Sequence, residues 1–488
     1  MATSVAGTGS ISSAGIGSGL DVTSIVGSLM AVERRPLTQL QSQADSLGTR
    51  LSTVGKMQGY FSALQTKANA LTSGTLWSGT IATSSDTASV KVSTSTGAVA
   101  GSYAVAVGHL AAGQTVTSAA LASSSATLNE GSLTIELGSY QAGAPAAGFD
   151  AKAGVSAITV SIGSGDTSLA SLRDKINASG AGVSASIISD ASGARLSLRS
   201  KDTGVENAFR ISVTETVDDG NAATGLSSLG YDATAASSPM SRSTSAVNAA
   251  LTVNGIALSS ASNTLNNVAD GLTLSLLKPT TTDIDVSVAA DTASVKTAVT
   301  DFVAAFNTLA GFIKAQTAYN ADSKVAGALQ GDQATLAIQS QLRSVLNEGS
   351  SASSSWSRLS EIGLTLKSDG TLDTNTTKLD NALGNLPELK KLLATDSSSS
   401  ADSGFVRRFK RLADAALGSD GVFQSRTDSI NASVTRNTKS QDAMQKRLTA
   451  TEARLRAQYS ALDTKMASLN NLSSYMTQQI TQYNRSPG

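Results

Sequence analysis

The chain has 488 residues, 40% apolar, 15% charged and 4% aromatic, and its 37 Lys and Arg balance 37 Asp and Glu. That length accommodates two to four domains of roughly 100–200 residues each, with enough apolar content to bury sizeable cores. The absence of cysteine excludes disulfides, thiol nucleophiles and cysteine-ligated metals, and the single histidine, His109, excludes a two- or three-histidine metal centre within one chain.

The opening 21 residues have neither the basic region nor the apolar run of a secretory signal peptide, so the expected export route cleaves no leader. Asp21 is placed to cap a short helix from Val22 to Arg35, which Pro36 interrupts. Pro36 suits the first turn of a second helix. There Leu40, Leu47, Val54, Phe61 and Ala68 recur every seven residues, with Leu51, Met57, Leu64 and Leu71 between them. This spacing predicts a coiled-coil seam of about five heptads.

The middle of the chain alternates apolar and polar residues between Gly, Ser and Asp turns. Strands are expected at 89–93, 103–107, 133–137, 158–162, 183–188, 195–199 and 209–213, with one short helix from Leu169 to Asn177. Asn254-Gly255 marks a hairpin across 251–258, because both turn positions favour positive φ. Asp369-Gly370 marks a second hairpin across 364–372. Helical spacing fills Val295 to Ala318 and Gln333 to Leu346, and the serine runs 350–355 and 397–400 are expected as exposed loops.

At the far end Leu448, Leu455, Leu462, Leu469 and Met476 again stand seven apart, and no proline falls between Pro387 and Pro487. Residues 425–482 as one helix would span about 85 Å. From 406 to 486 there are 13 Lys and Arg against 6 Asp and Glu. These charges alternate along a helix with an apolar face, so nucleic acid is not an expected partner. No run approaches the roughly 18 apolar residues of a membrane helix, so no membrane insertion is expected.

The search for chemistry finds little. His109 follows a strand and has no G-x-S-x-G partner motif. Asp369 and Asp373 lack the closing glutamate of a calcium loop, and a hairpin turn explains them. Gly15-Ile-Gly-Ser-Gly19 has no preceding strand and no following Lys-Ser/Thr, so it is not a phosphate loop. In Gly163-Ser-Gly-Asp-Thr-Ser168, Asp166 or Thr167 is expected to cap the next helix. The basic run Arg407-Arg-Phe-Lys-Arg411 is expected along a solvated helix edge. No catalytic residue, cofactor site or metal site is assigned, and the chain is expected not to be an enzyme.

A resemblance rests on motifs in a fixed order. Ile11-Ser-Ser-Ala-Gly-Ile-Gly-Ser-Gly-Leu-Asp21 followed by Ile25-Val-Gly-Ser-Leu-Met-Ala-Val-Glu-Arg-Arg-Pro-Leu37 resembles the start of the flagellar filament-capping family (FliD, flagellar hook-associated protein 2). Gly101-Ser-Tyr-Ala-Val-Ala-Val107 resembles that family's first head strand. Ser168-Leu-Ala-Ser-Leu-Arg-Asp-Lys-Ile-Asn177, continuing to Gly193, resembles the hook IN motif of flagellar axial proteins. Residues 251–256, 260–265 and 270–274, then 363–366 and 369–372, resemble the family's return from head to stalk. Residues 138–153 and 218–240 resemble nothing recognisable.

The resemblance implies an α+β protein: a terminal α-helical coiled-coil stalk with legs, and an inserted β-rich head in two parts. The expected divisions are 1–36, an N-terminal leg disordered when unassembled; 37–76, the stalk helix; and 77–250, the head. Within the head, 77–115 with 240–285 would form the inner part and 116–239 the outer. Residues 251–425 would supply the re-entry hairpin and helical stalk, and 426–488 the C-terminal coiled-coil helix and leg. The expected assembly seam is Leu40, Leu47, Val54, Phe61, Leu64, Leu448, Leu455, Leu462, Leu469 and Met476. The family's role implies an extracellular cap at the flagellar tip that promotes flagellin polymerisation and stops monomer leakage, with adhesion in some members. Implied partners are further copies in a pentamer-like ring, flagellin, the flagellar export apparatus and a secretion chaperone. A hook–filament junction subunit or flagellin is disfavoured by the box at 15–21. A surface adhesin of the autotransported kind would need a signal peptide and a membrane barrel.

Overall fold

The computed structural model describes residues 21–322 and 324–484. The glycine-rich box before Asp21 and most of the expected leg 1–36 ahead of it lie outside the described residues. Among the described residues ten α-helices run in chain order: α1 Val22–Glu33, α2 Arg35–Thr72, α3 Gly74–Trp77, α4 Leu169–Ala178, α5 Thr292–Thr317, α6 Gln333–Asn347, α7 Thr376–Leu383, α8 Leu386–Ala394, α9 Phe405–Leu417 and α10 Val422–Tyr483. No helix among the described residues is long and apolar enough to cross a membrane. Contacts divide the chain into two units, one formed by the chain up to Leu76 and from Thr292, the other by Trp77–Asp291.

The first unit is helical. Asp21 caps α1 by accepting the Ser24 N–H at 2.8 Å, and α2 starts one residue before Pro36. α2 then runs antiparallel to α10. Phe61 meets Phe423 with ring centroids 5.1 Å apart, Gln43 meets Asn437, and Leu40 meets Gln441. Val54, Met57, Phe61, Leu64, Ala68 and Leu71 are buried on the inner side of α2. α5 and α9 close this core, with Phe302 and Phe306 stacked edge-on against Phe409 at 5.4 and 5.6 Å. The hairpin expected at Asp369-Gly370 is present as paired strands Leu364–Leu366 and Leu372–Thr374. Asp369 closes its turn on the N–H and hydroxyl of Thr371.

Two sequence expectations hold only in part in this unit. In the run 350–355 Ser351, Ser354 and Ser355 are exposed as expected, but Ser350 and Ser353 are buried. Ser350 donates to the Ser403 carbonyl at 2.9 Å, and Ser351 takes up the Ala401 carbonyl through its N–H. Ser353 and Ser354 donate to the carboxylate of Glu388 at 2.7–3.0 Å. In the basic run on α9 Arg411 is exposed and Arg407 and Lys410 are half-buried, but Arg408 leaves the solvated edge and is buried. Its guanidinium donates to the carbonyls of Ser403, Gly349 and Ala401. Short polar side chains here satisfy backbone groups that no sheet or helix reaches.

The second unit is antiparallel β with one helix, α4. Its strands are β1 Thr80–Ser84, β2 Val90–Thr94, β3 Gly101–His109, β4 Thr115–Thr117, β5 Gly131–Tyr140, β6 Phe149–Ala151, β7 Ile158–Ile162, β8 Val183–Asp190, β9 Gly193–Ser200, β10 Ala208–Glu215, β11 Ser241–Thr244, β12 Ala249–Val253, β13 Ile256–Ser260, β14 Thr264–Ala269, β15 Leu272–Leu276 and β16 Ile284–Ala290. A five-stranded sheet ordered β1-β16-β3-β12-β13 and a three-stranded sheet β14-β15-β2 share one core that includes Val105, Leu251, Leu274 and Val286. A second core, including Leu133, Leu172, Leu198 and Phe209, lies among β10-β5-β6 with β7, β11-β4-β9-β8 and α4. A division after residue 250 would cut β12, and the first sheet continues to Ala290.

Local turn chemistry follows the sequence. Asn254 and Gly255 have φ of 50° and 77° and join β12 to β13 in the two-residue hairpin expected of Asn-Gly. Ser168, rather than Asp166 or Thr167, caps α4 by accepting the Ser171 N–H at 3.1 Å. Asp166 instead pairs with Lys175 on that helix. The two cores meet tightly: Thr203 donates to the Ala261 carbonyl at 2.6 Å, and Gly204, at φ 103°, leaves no room beside Ala261 for a β-carbon.

Two outcomes are expected. Phe61→Ala should destabilise the helical unit by about 3–5 kcal/mol, whereas Leu40→Ala, at a half-buried position, should cost well under half as much; denaturant titration measures both. Glu388 accepts from Lys391, Ser353 and Ser354, and these bonds lower its pKa from 4.5 to about 2. A depressed folded-state pKa stabilises above the unfolded value, and the benefit disappears as pH falls through the folded value. Glu388→Gln should therefore lower the melting temperature at pH 7, and the gap from the parent should close between pH 4.5 and about 2.

Candidate assembly surface

The expected seam residues are not equally covered. Val54, Phe61, Leu64 and Leu448 are buried, while Leu40, Leu47 and Leu455 are half-buried. Leu462, Leu469 and Met476 are 44%, 58% and 55% exposed. α1 explains where coverage stops. Its Val22, Val26 and Met30, four residues apart on one helical face, pack against Leu448, with Met444, Leu455 and Tyr459 at the margin. Arg34 beside Glu452, at 3.9 Å, continues the same antiparallel order. Beyond Tyr459 no described residue covers the stripe, and Leu472, Tyr475, Ile480 and Tyr483 extend the exposed apolar surface.

A polar layer separates this end from the phenylalanine core. Asn437 is buried between α2 and α10, donating to Gln43 at 3.4 Å and accepting from Gln441 at 2.6 Å. Gln441 also donates to the Leu40 carbonyl at 3.4 Å. A buried asparagine in an apolar seam fixes register, because a slip takes its amide away from its cross-helix partner, here Gln43. Heptad counting from the leucines did not single out Asn437.

The other residues examined for chemistry serve local structure. His109 is exposed at the end of β3, opposite Ala250. Asp373 pairs with Lys367 at 3.0 Å, and the Thr371 hydroxyl and N–H hold Asp369 below the usual carboxylate range. Glu215, Asp218 and Asp219 bring carboxylate oxygens together, but these acids hold the loop after β10. Burial opposes the charge on Glu215, yet the Ser227 N–H and the Asn129 amide outweigh it and lower its pKa. Asp219 accepts from the Thr224 hydroxyl at 2.6 Å and the Asn221 N–H at 2.9 Å. The unplaced stretches 138–153 and 218–240 border one cleft of about 520 Å³, beside Tyr140, Pro145 and Arg242.

Comparison with known proteins agrees along nearly the whole chain. Residues 18–114 match the flagellar hook-associated protein 2 N-terminus and residues 246–471 its C-terminus. Residues 148–202 match the flagellin hook IN motif. Flagellar hook-associated protein 2 of Escherichia coli K12 is 36% identical over 484 residues, covering 96% of this chain and 98% of its own. That of Salmonella typhimurium is 32% identical over 486 residues, covering 98% and 100%. The crystal structure of the flagellar cap protein FliD D1-D2-D3 domains from Escherichia coli superposes with a TM-score of 0.58 at 34% identity, covering 78% of this chain and 99% of that one. With both ends of the family matched in order and full-length relatives at this identity, the chain belongs to the flagellar hook-associated protein 2 family.

Proposed function

We propose that this chain is the non-enzymatic cap of a bacterial flagellar filament, a ring of identical subunits that guides flagellin onto the tip and stops it leaking away. The observation that carries the reading is the apolar stripe of α10 from Leu462 to Tyr483, which lies open to solvent among the described residues. Monomers rarely leave contiguous apolar surface of this kind uncovered, and a leg ordered by contacts at its docking site suits a subunit that must let go and re-engage as the filament lengthens. The relatives' description as flagellar cap proteins supports the same role and an extracellular place at the flagellum tip. Export through the flagellar apparatus with the help of a secretion chaperone fits a cysteine-free chain with sticky ends.

Two measurements test this. A strain lacking the protein should shed flagellin into the medium and make few or no filaments. A version ending at Ala461 should fold but not rescue; full-length filaments from that strain would refute the reading. In dilute solution trypsin should cut first at Lys465, beyond the reach of α1, and last near Phe423, where α10 is buried.

A further inference from the structure

We infer that Asn254 is a self-modification site, whose side-chain amide is converted to aspartate or isoaspartate only while the β-rich unit is unfolded. Asn254-Gly255 is the one Asn-Gly step in the sequence. The reaction needs no partner beyond water. The Gly255 amide nitrogen attacks Cγ of Asn254, a C–N bond forms, and the proton it gives up leaves with the side-chain nitrogen as ammonia. Water then opens the resulting succinimide at either carbonyl, giving aspartate or, with the main chain rerouted through Cγ, isoaspartate. Glycine in second place favours this step, because no β-carbon crowds the attacking nitrogen. Both residues are exposed at the tip of the β12–β13 hairpin, so water reaches them.

In the folded chain the reacting atoms are held apart. Asn254 has φ of 50°, and in this left-handed conformation, about φ +57° and ψ +47°, the next nitrogen lies across the Cα–C bond from the side chain. Attack requires that nitrogen within about 3–3.5 Å of Cγ, hence rotation about the same bond. Two hydrogen bonds to β3 oppose the rotation. The Asn254 N–H donates to the Ala104 carbonyl at 2.8 Å, and Asn254 Oδ1 accepts the Ala104 N–H at 2.8 Å. They continue the ladder in which Val253 faces Val105 and Thr252 faces Ala106, the side-chain oxygen standing where a backbone carbonyl would. Val253 also pairs with Ile256 across the turn. Leu251 and Val253 are buried in the core beneath, so the turn cannot unwind without lifting the end of a central strand. The folded chain therefore reacts only during the fraction of time that this hairpin is open.

The two products differ in fit. Aspartate keeps an oxygen for the Ala104 N–H, and Asp-Gly suits the same turn. Isoaspartate adds a methylene to the main chain and breaks the register of Val253 with Ile256. A chain that lingers unfolded thus accumulates copies unable to close this sheet, whatever its role at the filament.

Peptide mapping with isoaspartyl methyltransferase labelling follows the reaction in the full chain, incubated in mildly alkaline buffer with and without unfolding urea. Conversion at Asn254 should be about a hundredfold or more slower in the folded chain, and Gly255→Ala should slow it in urea. Equal rates in the two solvents overturn the protection, and no conversion in urea overturns the site. Chain aged in urea and returned to buffer separates the products. Isoaspartate should be confined to molecules that trypsin digests, while aspartate should partition like the unmodified chain. Asn254→Asp should melt close to the parent. Isoaspartate in the protease-resistant fraction, or an Asn254→Asp chain that melts far below the parent, overturns the clamp by Ala104.

Discussion

The antiparallel pairing of α2 with α10 is the constraint on which the helical unit depends. It brings together residues as far apart as Gln43 and Asn437, 394 positions along the chain. Closing so long a loop carries an entropic cost that grows only slowly with length, so an entire β unit can be carried between the two strands of the seam. What must hold is the seam itself. Phe61 against Phe423, backed by Phe409 and the inner face of α5, supplies the buried contact in a chain with few aromatics.

Along α10 the same heptad pattern passes through three environments. Phe423 and Ile430 are buried in a core of several helices, Asn437 marks a polar layer, and Leu448 is buried mainly by the short α1. After Tyr459 the pattern continues with no described residue over it. Local stability follows the number of buried neighbours, so opening should start at the exposed end and meet resistance at the phenylalanines. The polar layer keeps the register when the end recloses, because Asn437 meets Gln43, and Gln441 the Leu40 carbonyl, in one alignment only.

Small polar residues take over work that larger cores do elsewhere. The clustered serines around Glu388, the buried Arg408 and the acids after β10 each satisfy backbone groups or other side chains at close range. Carboxylates used in this way are held charged by their donors.

Features that depend on a few neighbouring residues were legible in the sequence. The Asp21 cap, the Asn254-Gly255 turn, the alternating strands and the heptads of α2 and α10 all arise from backbone preferences or periodicity within one or two turns. The order of motifs likewise identified the family, because it needs no contact to be read. Tertiary structure decided which part of each periodic face is covered. Leu448 and Leu469 occupy the same heptad position, yet only one lies under α1. Arg408 and Ser350 read as surface residues until a distant loop supplies the carbonyls that bury them. The last strand of the β unit, Ile284–Ala290, was not among the expected strands, and its pairing with Thr80–Ser84 and Gly101–His109, roughly 200 residues upstream, is set by the fold alone. Periodicity states what a face can bury, whereas burial requires a partner, and partners distant in the chain are chosen only by the fold.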